Sequence, residues 1–500
     1  MATTFRPYLP DQIFLLPPSL RDWLPEGHLV YFISDVVDRL DLGAFYVRYA
    51  GDGRRNAPYH PAMLVKVLIY AYALGVTSSR SIAKRLETDV AFRVLAANNQ
   101  PSHRTICRFR TRHLSQFVDL FQQVVRVAQA AGLVDFGTLS IDGTKVRANA
   151  SKRKAMSYGY VAREQQLLRA ELARLVAQAE AEDEAEDLAY GEDGRGDELP
   201  SELALPAGRA SALDRAIAEV AAEQAATSQG GATVDDTGAE GEEASAPVVI
   251  REGCTVEGEL ALRGRKLAKV SEAKVQLEAR AAEADKAKGR KPGQDRNPKG
   301  GRPYKRSYGV PDPKAQYNFT DPESRIMKTS QEGFQQCYNV QVAVDAKHQL
   351  IVQTKVSNQA SDTSQLIPMV DAVAQVYGAR PTTVLADAGY CSEANLTALE
   401  AREIDGYVAI GREGKAQVAV DPDTRPATSR MQAKLKRPDG QAMYKDRKWL
   451  SEAPNGWIKR VLGFRQFSVR GLDQVAGEWE LLCLGLNLRR MRTMELTWTT

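Results

Sequence analysis

Residues Pro381–Ser392 have the sequence PTTVLADAGYCS, and this stretch decides the fold class that we predict for the chain. The β-branched and apolar run at Thr382–Leu385 predicts a short buried strand, which ends in Asp387. A carboxylate at the C-terminal end of a strand, followed by a glycine turn and a helix start, projects into the crevice where open α/β sheets bind ligands. An aspartate that only caps the turn is the alternative interpretation. Whether Asp387 binds a ligand or only caps the turn therefore depends on which other acidic residues accompany it.

The composition indicates a globular protein of two or three domains, because the 500 residues are 43% hydrophobic and 26% charged. No run of eighteen apolar residues and no signal-peptide core is found, so we expect a cytoplasmic protein without a membrane span. The five cysteines are scattered without a CxxC pair, which argues against a zinc site and for reduced thiols. A net charge of +4 permits a nucleic-acid partner without requiring one.

The first 134 residues are predicted to be helical. Apolar stripes at helical spacing over Pro25–Leu40, His60–Leu74 and Ser78–Leu95 predict three helices. A fourth helix is predicted to begin near Ser102, and its opening turns are strongly basic. We interpret it either as a DNA-contacting element of a helix-turn-helix-like unit or as a solvated basic face. Its arginines are Arg104, Arg108, Arg110 and Arg112.

A second predicted strand, Phe136–Asp142, also ends in an aspartate that stands before a glycine. We expect the residues after Gly143 to form the return strand of a hairpin. They bring several cations close to Asp142, a pattern typical of a structural ion pair or of a site that handles phosphates. These cations are Lys145, Arg147, Lys152 and Arg153.

The succession of predicted elements in the C-terminal part indicates a mixed α/β sheet, because a run of strands is followed by alternating helices and strands. The predicted elements are strands at Cys337–Asp345 and Gln349–Val356, a helix at Asp362–Tyr377, the strand before Asp387, a helix at Ser392–Ala401 and a strand from Gly406. The polar stretch Arg412–Gly440 is predicted to be a loop. An amphipathic helix is predicted at Val475–Met491.

A helix-like stretch between the predicted loop and the predicted amphipathic helix contains charged residues close to two tryptophans. It contains Tyr444, Arg447, Lys448, Glu452 and Lys459. The run Pro454–Gly456 is expected to bend or break this helix, because proline removes a backbone hydrogen bond.

Residues 156–302 have a different character, and we interpret them as an insertion. Leucine- and alanine-rich spacing predicts charged helices at Tyr160–Glu182 and Leu267–Lys288. The acidic tract Glu180–Glu198 and the apolar-poor Ser228–Ala246 are expected to be disordered. The segment 286–306 is rich in cations, glycine and proline, so it is either a flexible arm for phosphate backbones or a solvated linker.

Three motifs now resemble those of a known family. Asp142 in LSIDGTKV, Asp387 in VLADAGYCS and Glu452 in YKDRKWLSEAPNGWIK are similar to the DDE triad of bacterial insertion-sequence transposases. The resemblance extends to NFTDPESRIM, to GFQQCYNVQVAVD and to the tail that begins GFRQFSVRGL, and it covers nearly everything outside residues 156–300.

This resemblance implies a ribonuclease H-like α/β fold, a mixed sheet with flanking helices. An all-α DNA-binding domain would occupy residues 1–134, and the DDE catalytic domain would comprise residues 135–155 and 303–492. A helical and disordered insertion would interrupt the catalytic domain at residues 156–302.

The resemblance also implies the chemistry. The enzyme would cut the ends of the element and join the freed 3′-OH to target DNA, with two Mg²⁺ ions, or Mn²⁺ in their place, held by Asp142, Asp387 and Glu452. Such ions lie about 3.5 to 4 Å apart and prefer carboxylate oxygens. The implied partners are double-stranded DNA, at the element ends and at the target, and a second copy of the chain.

By the same resemblance, Tyr444, Arg447 and Lys459 would hold the DNA end. The chain departs from the family at two points. Five positions separate Arg447 from Glu452, one more than in related groups, so Lys448 is the alternative to the arginine. The run Ala453–Gly456 replaces a Pro-Val-Phe-Gly run, which is the feature that favours a DNA-binding protein without catalysis. A structure-specific nuclease that cannot join strands is the other alternative.

Overall fold

The computed structural model describes residues 19–49, 58–190, 250–251, 255–294, 296, 303–329, 332–411 and 420–494. The chain divides into two compact units, of which one comprises Met1–Ala155 with Asn318–Thr500 and the other Met156–Tyr317. The segment Ser228–Ala246, expected to be disordered, lies outside the described residues, as does the acidic tract beyond residue 190. The first part of that tract, residues 180–190, is helical, so the expected disorder is wrong there.

Helices form the N-terminal part of the first unit. They are α1 (Leu29–Asp38), α2 (Gly43–Tyr46), α3 (Pro61–Ala73), α4 (Ser79–Thr88), α5 (Val90–Leu95) and α6 (His103–Ala130), with 3-10 turns at Leu20–Trp23 and Val47–Tyr49. The three apolar stripes are confirmed as helical, but the third one is divided in two at Asp89. The Asp89 carboxylate accepts the backbone N–H of Ala91 at 2.9 Å and thereby caps α5.

Strands alternate with the remaining helices. In chain order they are β1 (Thr138–Arg147), β2 (Ala155–Ser157), α7 (Tyr158–Tyr190), α8 (Val256–Ala287), β3 (Gln316–Asn318), β4 (Arg325–Thr329), β5 (Gly333–Asp345), β6 (Ile351–Ser357), α9 (Leu366–Tyr377), β7 (Thr383–Ala386), α10 (Glu393–Glu400), β8 (Asp405–Val408), α11 (Pro426–Lys436), α12 (Pro438–Gly456) and α13 (Leu472–Thr493). Further 3-10 turns lie at Lys152–Lys154 and Ala388–Tyr390, and a π turn lies at Trp457–Val461.

A six-stranded mixed sheet organises the first unit, in the order β4-β5-β1-β7-β8, with β6 also paired to β5. The strands β4, β6 and β1 run antiparallel to β5, whereas β1, β7 and β8 run parallel to one another. The fold is therefore the predicted ribonuclease H-like α/β sheet with flanking helices, preceded by helices.

The predicted hairpin after Asp142 is wrong, because β1 continues through Gly143 as one ten-residue strand. Its second half pairs with β5 without interruption, from Gly143 opposite Gln341 to Arg147 opposite Cys337. Pairing with β7 stops earlier, at Ile141 opposite Ala386. Asp142 thus lies within a strand, at the position where one of its two neighbours ends.

The loop predicted at Arg412–Gly440 is also wrong in its described part, where α11 and the start of α12 lie. Each of these helices has a proline in its first turn, a position that proline favours. The sequence predicts a bend or break at Pro454–Gly456. The helix is not broken at Pro454, which α12 includes, but its α-helical geometry ends at Gly456 and a π turn follows directly. Pro454 is buried in the packed helix, so tertiary packing overrides its local preference.

Helix α13 joins the N-terminal helices to the sheet. It packs against α3, α6 and β6 and is buried on nearly all sides, so the predicted amphipathic pattern is wrong. Gly477 permits this packing, because a Cβ atom there would lie 2.4 Å from the carbonyl oxygen of Leu114 on α6. The helical part and the sheet consequently share one hydrophobic core.

The second unit contains the two predicted charged helices, α7 and α8, packed antiparallel. Gln165 on α7 donates to Ser271 on α8 at 2.8 Å, and Tyr158 donates to Glu278 at 2.8 Å. The segment 286–306 is partly folded where it is described. Asp285 pairs with Arg306 at 2.8 Å, which fixes a residue that was predicted to be free for phosphate.

Candidate active site

Asp142 and Asp387 lie side by side at one edge of the sheet. Their strands, β1 and β7, are parallel neighbours, and each aspartate directly follows the last paired residues, Ile141 and Ala386. The Asp387 carboxylate also accepts the backbone N–H of Gly389 at 2.8 Å, which fixes its turn. The side-by-side arrangement that we expected of the two strands is therefore present.

The two carboxylates repel each other. Burial and the negative charge of Asp387 raise the pKa of Asp142 to about 6, although the charge of Arg447 and a hydrogen bond from Asn455 act in the opposite direction. Carboxylates held this close, in a partly buried place, favour a bound cation that would compensate both charges.

Glu452 is on α12, which packs across β1. Its side chain is 58% exposed and pairs with the guanidinium of Arg447 at 3.8 Å. Arg447 is buried beneath it and interacts electrostatically with both aspartates. The structure thus brings an arginine between Glu452 and the aspartate pair.

Asp142 and Glu452 line the same cavity, which has a volume of about 450 Å³. Six cationic side chains line it, against three acidic ones, so the walls favour a polyanion although the carboxylates stand among them. The cations are Lys145, Arg147, Lys328, Lys459, Arg460 and Arg465, and the acids are Asp142, Glu332 and Glu452. Lys328, Arg460 and Arg465 were not singled out in the sequence, where nothing local connects them to Asp142.

Asn455 is a functional candidate that the sequence presented only as a departure from the family. It lies one helical turn after Glu452, and its amide nitrogen donates to Asp142 Oδ2 at 2.9 Å. The residue that replaces the family's apolar side chain is therefore part of the carboxylate site.

Asp362 is a second residue that sequence reasoning missed, since it was noted only as a helix start. Its carboxylate accepts Lys145 Nζ at 3.1 Å, Asn339 Nδ2 at 2.6 Å and Gln341 Nε2 at 2.8 Å. Gln341 in turn accepts the hydroxyl of Tyr390. Burial, together with the charges of Asp362, Asp142 and Asp387, raises the pKa of Tyr390, so this network adjoins the aspartate pair.

The residues predicted to hold DNA near Glu452 differ in position. Arg447 lies over the ring of Tyr444, at 5.6 Å from the ring centroid, whereas Lys448 is exposed. Lys459 lines the cavity and donates to Thr144 and to the carbonyl oxygen of Lys145 on β1. Of the two alternatives for the arginine position, Arg447 is the one beside the carboxylates.

Three of the four arginines predicted on α6 share one exposed stripe. Arg104, Arg108 and Arg112 recur every four residues, which places them on one face of the helix. The prediction for Arg110 is wrong, because this side chain is buried and donates to Tyr72 at 3.0 Å and to the Thr77 carbonyl at 2.5 Å. Arg110 therefore cannot contact a phosphate.

Within the described residues, no three His, Cys, Asp or Glu side chains form a group that could hold a metal ion. The aspartate pair still fits a hard divalent cation, because its donors are carboxylate oxygens and its mutual repulsion raises one pKa. Glu452, on the shared cavity, is turned to Arg447 rather than to the pair.

Two family models match the chain. Residues 18–112 match a transposase domain (DUF772), and residues 308–488 match a transposase DDE domain. The chain belongs to the DDE transposases. Asp387 and Glu452 of this transposase fall within the DDE match, whereas Asp142 lies between the two matched segments. No curated protein and no solved structure was found to match. In the part of the chain that the structure describes, no helix has the length and apolarity needed to cross a membrane.

Proposed function

We propose that this transposase cuts DNA at the ends of a bacterial insertion sequence and joins the resulting 3′-OH to target DNA. The observation that carries the proposal is the pairing of Asp142 with Asp387 at the sheet edge, beside a cation-lined cavity that also contains Glu452. A cavity of this charge suits a phosphodiester backbone, and the carboxylates suit the ions that such chemistry uses.

Asp142, Asp387 and Glu452 would hold the Mg²⁺ ions, which Mn²⁺ could replace. When bound, two such ions activate the attacking oxygen and neutralise charge on the leaving oxygen. Arg447 would oppose protonation of Asp142 before binding, since its positive charge acts against the burial and the Asp387 charge that raise the pKa of Asp142. Glu452 would have to leave Arg447 in order to join the aspartates.

Two displacements at phosphorus make up the reaction. In cleavage, a water oxygen bonds to the scissile phosphorus while the bond to the 3′ oxygen breaks, which leaves a 3′-OH on the element and a 5′-phosphate on the flank. In joining, that 3′ oxygen bonds to a target phosphorus and displaces the target's own 3′ oxygen. One phosphodiester replaces another, so the second step needs no further reactant.

DNA would be held by two groups of residues. The stripe of Arg104, Arg108 and Arg112 on α6 is exposed and would follow the backbone of the element end. Arg447 and Lys459, with Tyr444 beneath the arginine and Lys448 exposed next to it, would hold the strand that is cut. Two ends have to be brought together, so we infer a homodimer on DNA. We also propose a cytoplasmic, nucleoid-associated location, because the DNA substrate of a bacterial element is there.

Cleavage and joining can be tested separately with a labelled inverted-repeat end. The wild-type protein should nick the 3′ strand with Mg²⁺ and should join a pre-cut end with a free 3′-OH to plasmid DNA. Asp142→Asn should bind the end with unchanged affinity and lower both rates at least about 1,000-fold, a loss of more than about 4 kcal/mol in transition-state stabilisation. Asp345→Asn, which alters a buried aspartate at the other end of β1, is the matched control.

Each outcome separates the alternatives. Cutting without joining of the pre-cut end would indicate a nuclease, and end binding without either reaction would indicate a DNA-binding protein. Cleavage by Asp142→Asn at the wild-type rate would contradict the catalytic assignment.

A further inference from the structure

Asn455 belongs to the run that departs from the family pattern, and its side chain is hydrogen-bonded to Asp142. The side chain is 8% exposed, and its amide nitrogen donates to Asp142 Oδ2 at 2.9 Å. It stands three positions after Glu452 on α12, so both side chains lie on the same face of the helix and line the same cavity.

The other end of this amide has no partner. Asn455 Oδ1 is buried and makes no hydrogen bond within the described residues. Leaving a buried acceptor unpaired costs about 1 to 3 kcal/mol, and because Asn455 lines the cavity beside Asp142, a ligand, ion or water bound there could remove that cost.

We propose that Asn455 is a further ligand residue of the carboxylate site, with its amide nitrogen orienting Asp142 and its Oδ1 providing a neutral oxygen to the divalent cation. Hard divalent cations accept amide oxygens together with carboxylates. The proposal rests on the proposed function, because it assumes that Asp142 binds a cation.

The Ala453–Gly456 run then has a different meaning. The sequence alone presented that run as the loss of an apolar anchor. In the structure, α12 stays helical through it and leads into a π turn, a feature that occurs frequently at functional sites. The polar replacement is thus placed where a ligand is useful.

Binding of Mn²⁺ to the full-length protein without DNA tests the proposal, with isothermal titration calorimetry as the measurement. Asn455→Leu removes both amide groups and should weaken Mn²⁺ binding at least tenfold. Asn455→Asp keeps the shape but exchanges the amide that donates to Asp142 for a second charged oxygen, so Asp142 loses its hydrogen bond and gains a repelling neighbour. At pH 8, where the added carboxylate is ionised, a metal ligand of full charge should outweigh that loss and tighten Mn²⁺ binding several-fold. The matched control is Gln466→Leu, which removes an amide that donates to the Ala148 carbonyl and should leave Mn²⁺ binding unchanged.

Thermal unfolding of each variant without metal shows whether it is folded. If Asn455→Leu does not fold, Asn455→Asp still decides, since equal or weaker Mn²⁺ binding by it would overturn the proposal. Wild-type affinity in a folded Asn455→Leu variant would overturn it as well. Failure of the wild type and of Asn455→Asp to bind Mn²⁺ would overturn the proposed metal site and this inference together, whereas the other two outcomes concern Asn455 alone.

Discussion

Asp362 shows how a single carboxylate can organise the surroundings of the candidate active site without belonging to its motif. Three side chains from β1 and β5 donate to it, and the ion pair with Lys145 is mostly buried. Breaking a buried charge pair from one side leaves the other charge uncompensated, which costs more than the pair itself contributes.

We therefore expect Asp362→Asn to lower the rate of end cleavage at least tenfold while end binding is retained. The new amide presents donors to Lys145 and Asn339, both of which are donors themselves, so the network has to rearrange beside the aspartate pair. Single-turnover cleavage with Mg²⁺ measures the effect. Asp371→Asn is the control, because Asp371 pairs with Arg402 at the surface and should not affect the rate.

Gly143→Ala tests the same network from β1. A Cβ atom at Gly143 would lie 2.7 Å from Asp362 Oδ1 and 2.7 Å from Gln341 Nε2, so both side chains would have to move. Cleavage at the wild-type rate by both variants would show that the network is not needed for catalysis.

At the level of single residues, the sequence singled out Asp142, Asp387 and Glu452 as candidates because each stands in a recognisable motif. Sequence reasoning missed Asp362, which lies 217 residues after its partner Lys145 in the sequence. Such a contact depends on strand register and on the packing of loops, which no local pattern contains. Arg110 was misassigned for the related reason that composition does not show which face of a helix is buried.

At the level of elements, helix α6 has arginines on two different faces, one exposed and one buried. The exposed arginines 104, 108 and 112 should contribute to DNA binding through counterion release, whereas Arg110 should contribute to stability. Replacing the three exposed arginines by glutamine should reduce the slope of log affinity against log salt by up to about 3, with little change in thermal stability.

Arg110→Gln should have the opposite effects, with lower thermal stability and an unchanged salt dependence of DNA binding. It leaves the buried Glu478, 4.0 Å away, without its cation, and should destabilise the fold by about 3 kcal/mol or more while the salt slope stays unchanged. Fluorescence anisotropy at several salt concentrations and thermal unfolding together check both variants. An unchanged salt slope in the triple variant would remove α6 from the DNA interface.

Helix α13 carries a buried carboxylate that should make stability depend on pH. Burial raises the pKa of Glu480 to about 7, against a hydrogen bond from Thr354 that lowers it. Between pH 4.5 and 7 the folded protein therefore binds a proton that the unfolded chain does not, and the free energy of unfolding falls as pH rises through this window.

Glu480→Gln should remove that part of the pH dependence. We expect equal stability of the variant and the wild type near pH 4, and a gain that grows to at most about 3 kcal/mol at pH 8. Chemical denaturation at both pH values measures the difference, with the exposed Glu87→Gln on α4 as control. A variant that is less stable than the wild type at pH 8 would contradict the prediction.

Elements with strong periodicity were predicted well, among them α3, β5 and α9. The errors lie where the sequence supports two structures. Asp-Gly after a strand predicts a turn, but the long partner β5 offers hydrogen bonds that keep β1 extended through Gly143. Pro454 predicts a bend or break, but packing on the sheet keeps α12 helical through it, and the geometry changes only after Gly456.

The whole molecule raises the question of what the helical hairpin of α7 and α8 contributes. The chain leaves the first unit and returns to it at adjacent places, since the backbone N–H of Phe319 donates to the Lys154 carbonyl at 3.0 Å. The first unit also has its own core, formed by the N-terminal helices, the sheet and α13. A short linker should therefore be able to replace the hairpin.

We predict that a variant in which a few Gly and Ser residues replace residues 156–317 folds cooperatively and still cuts a labelled end. Its nonspecific DNA affinity should fall, because the exposed Lys286, Lys288 and Lys291 are lost with the hairpin. The full-length variant with these three lysines changed to glutamine is the matched control, which removes charge and keeps the hairpin. If both variants lose the same nonspecific DNA affinity, the hairpin contributes to binding through its charge. If the shortened chain does not show a single unfolding transition, the first unit depends on the hairpin for its own stability.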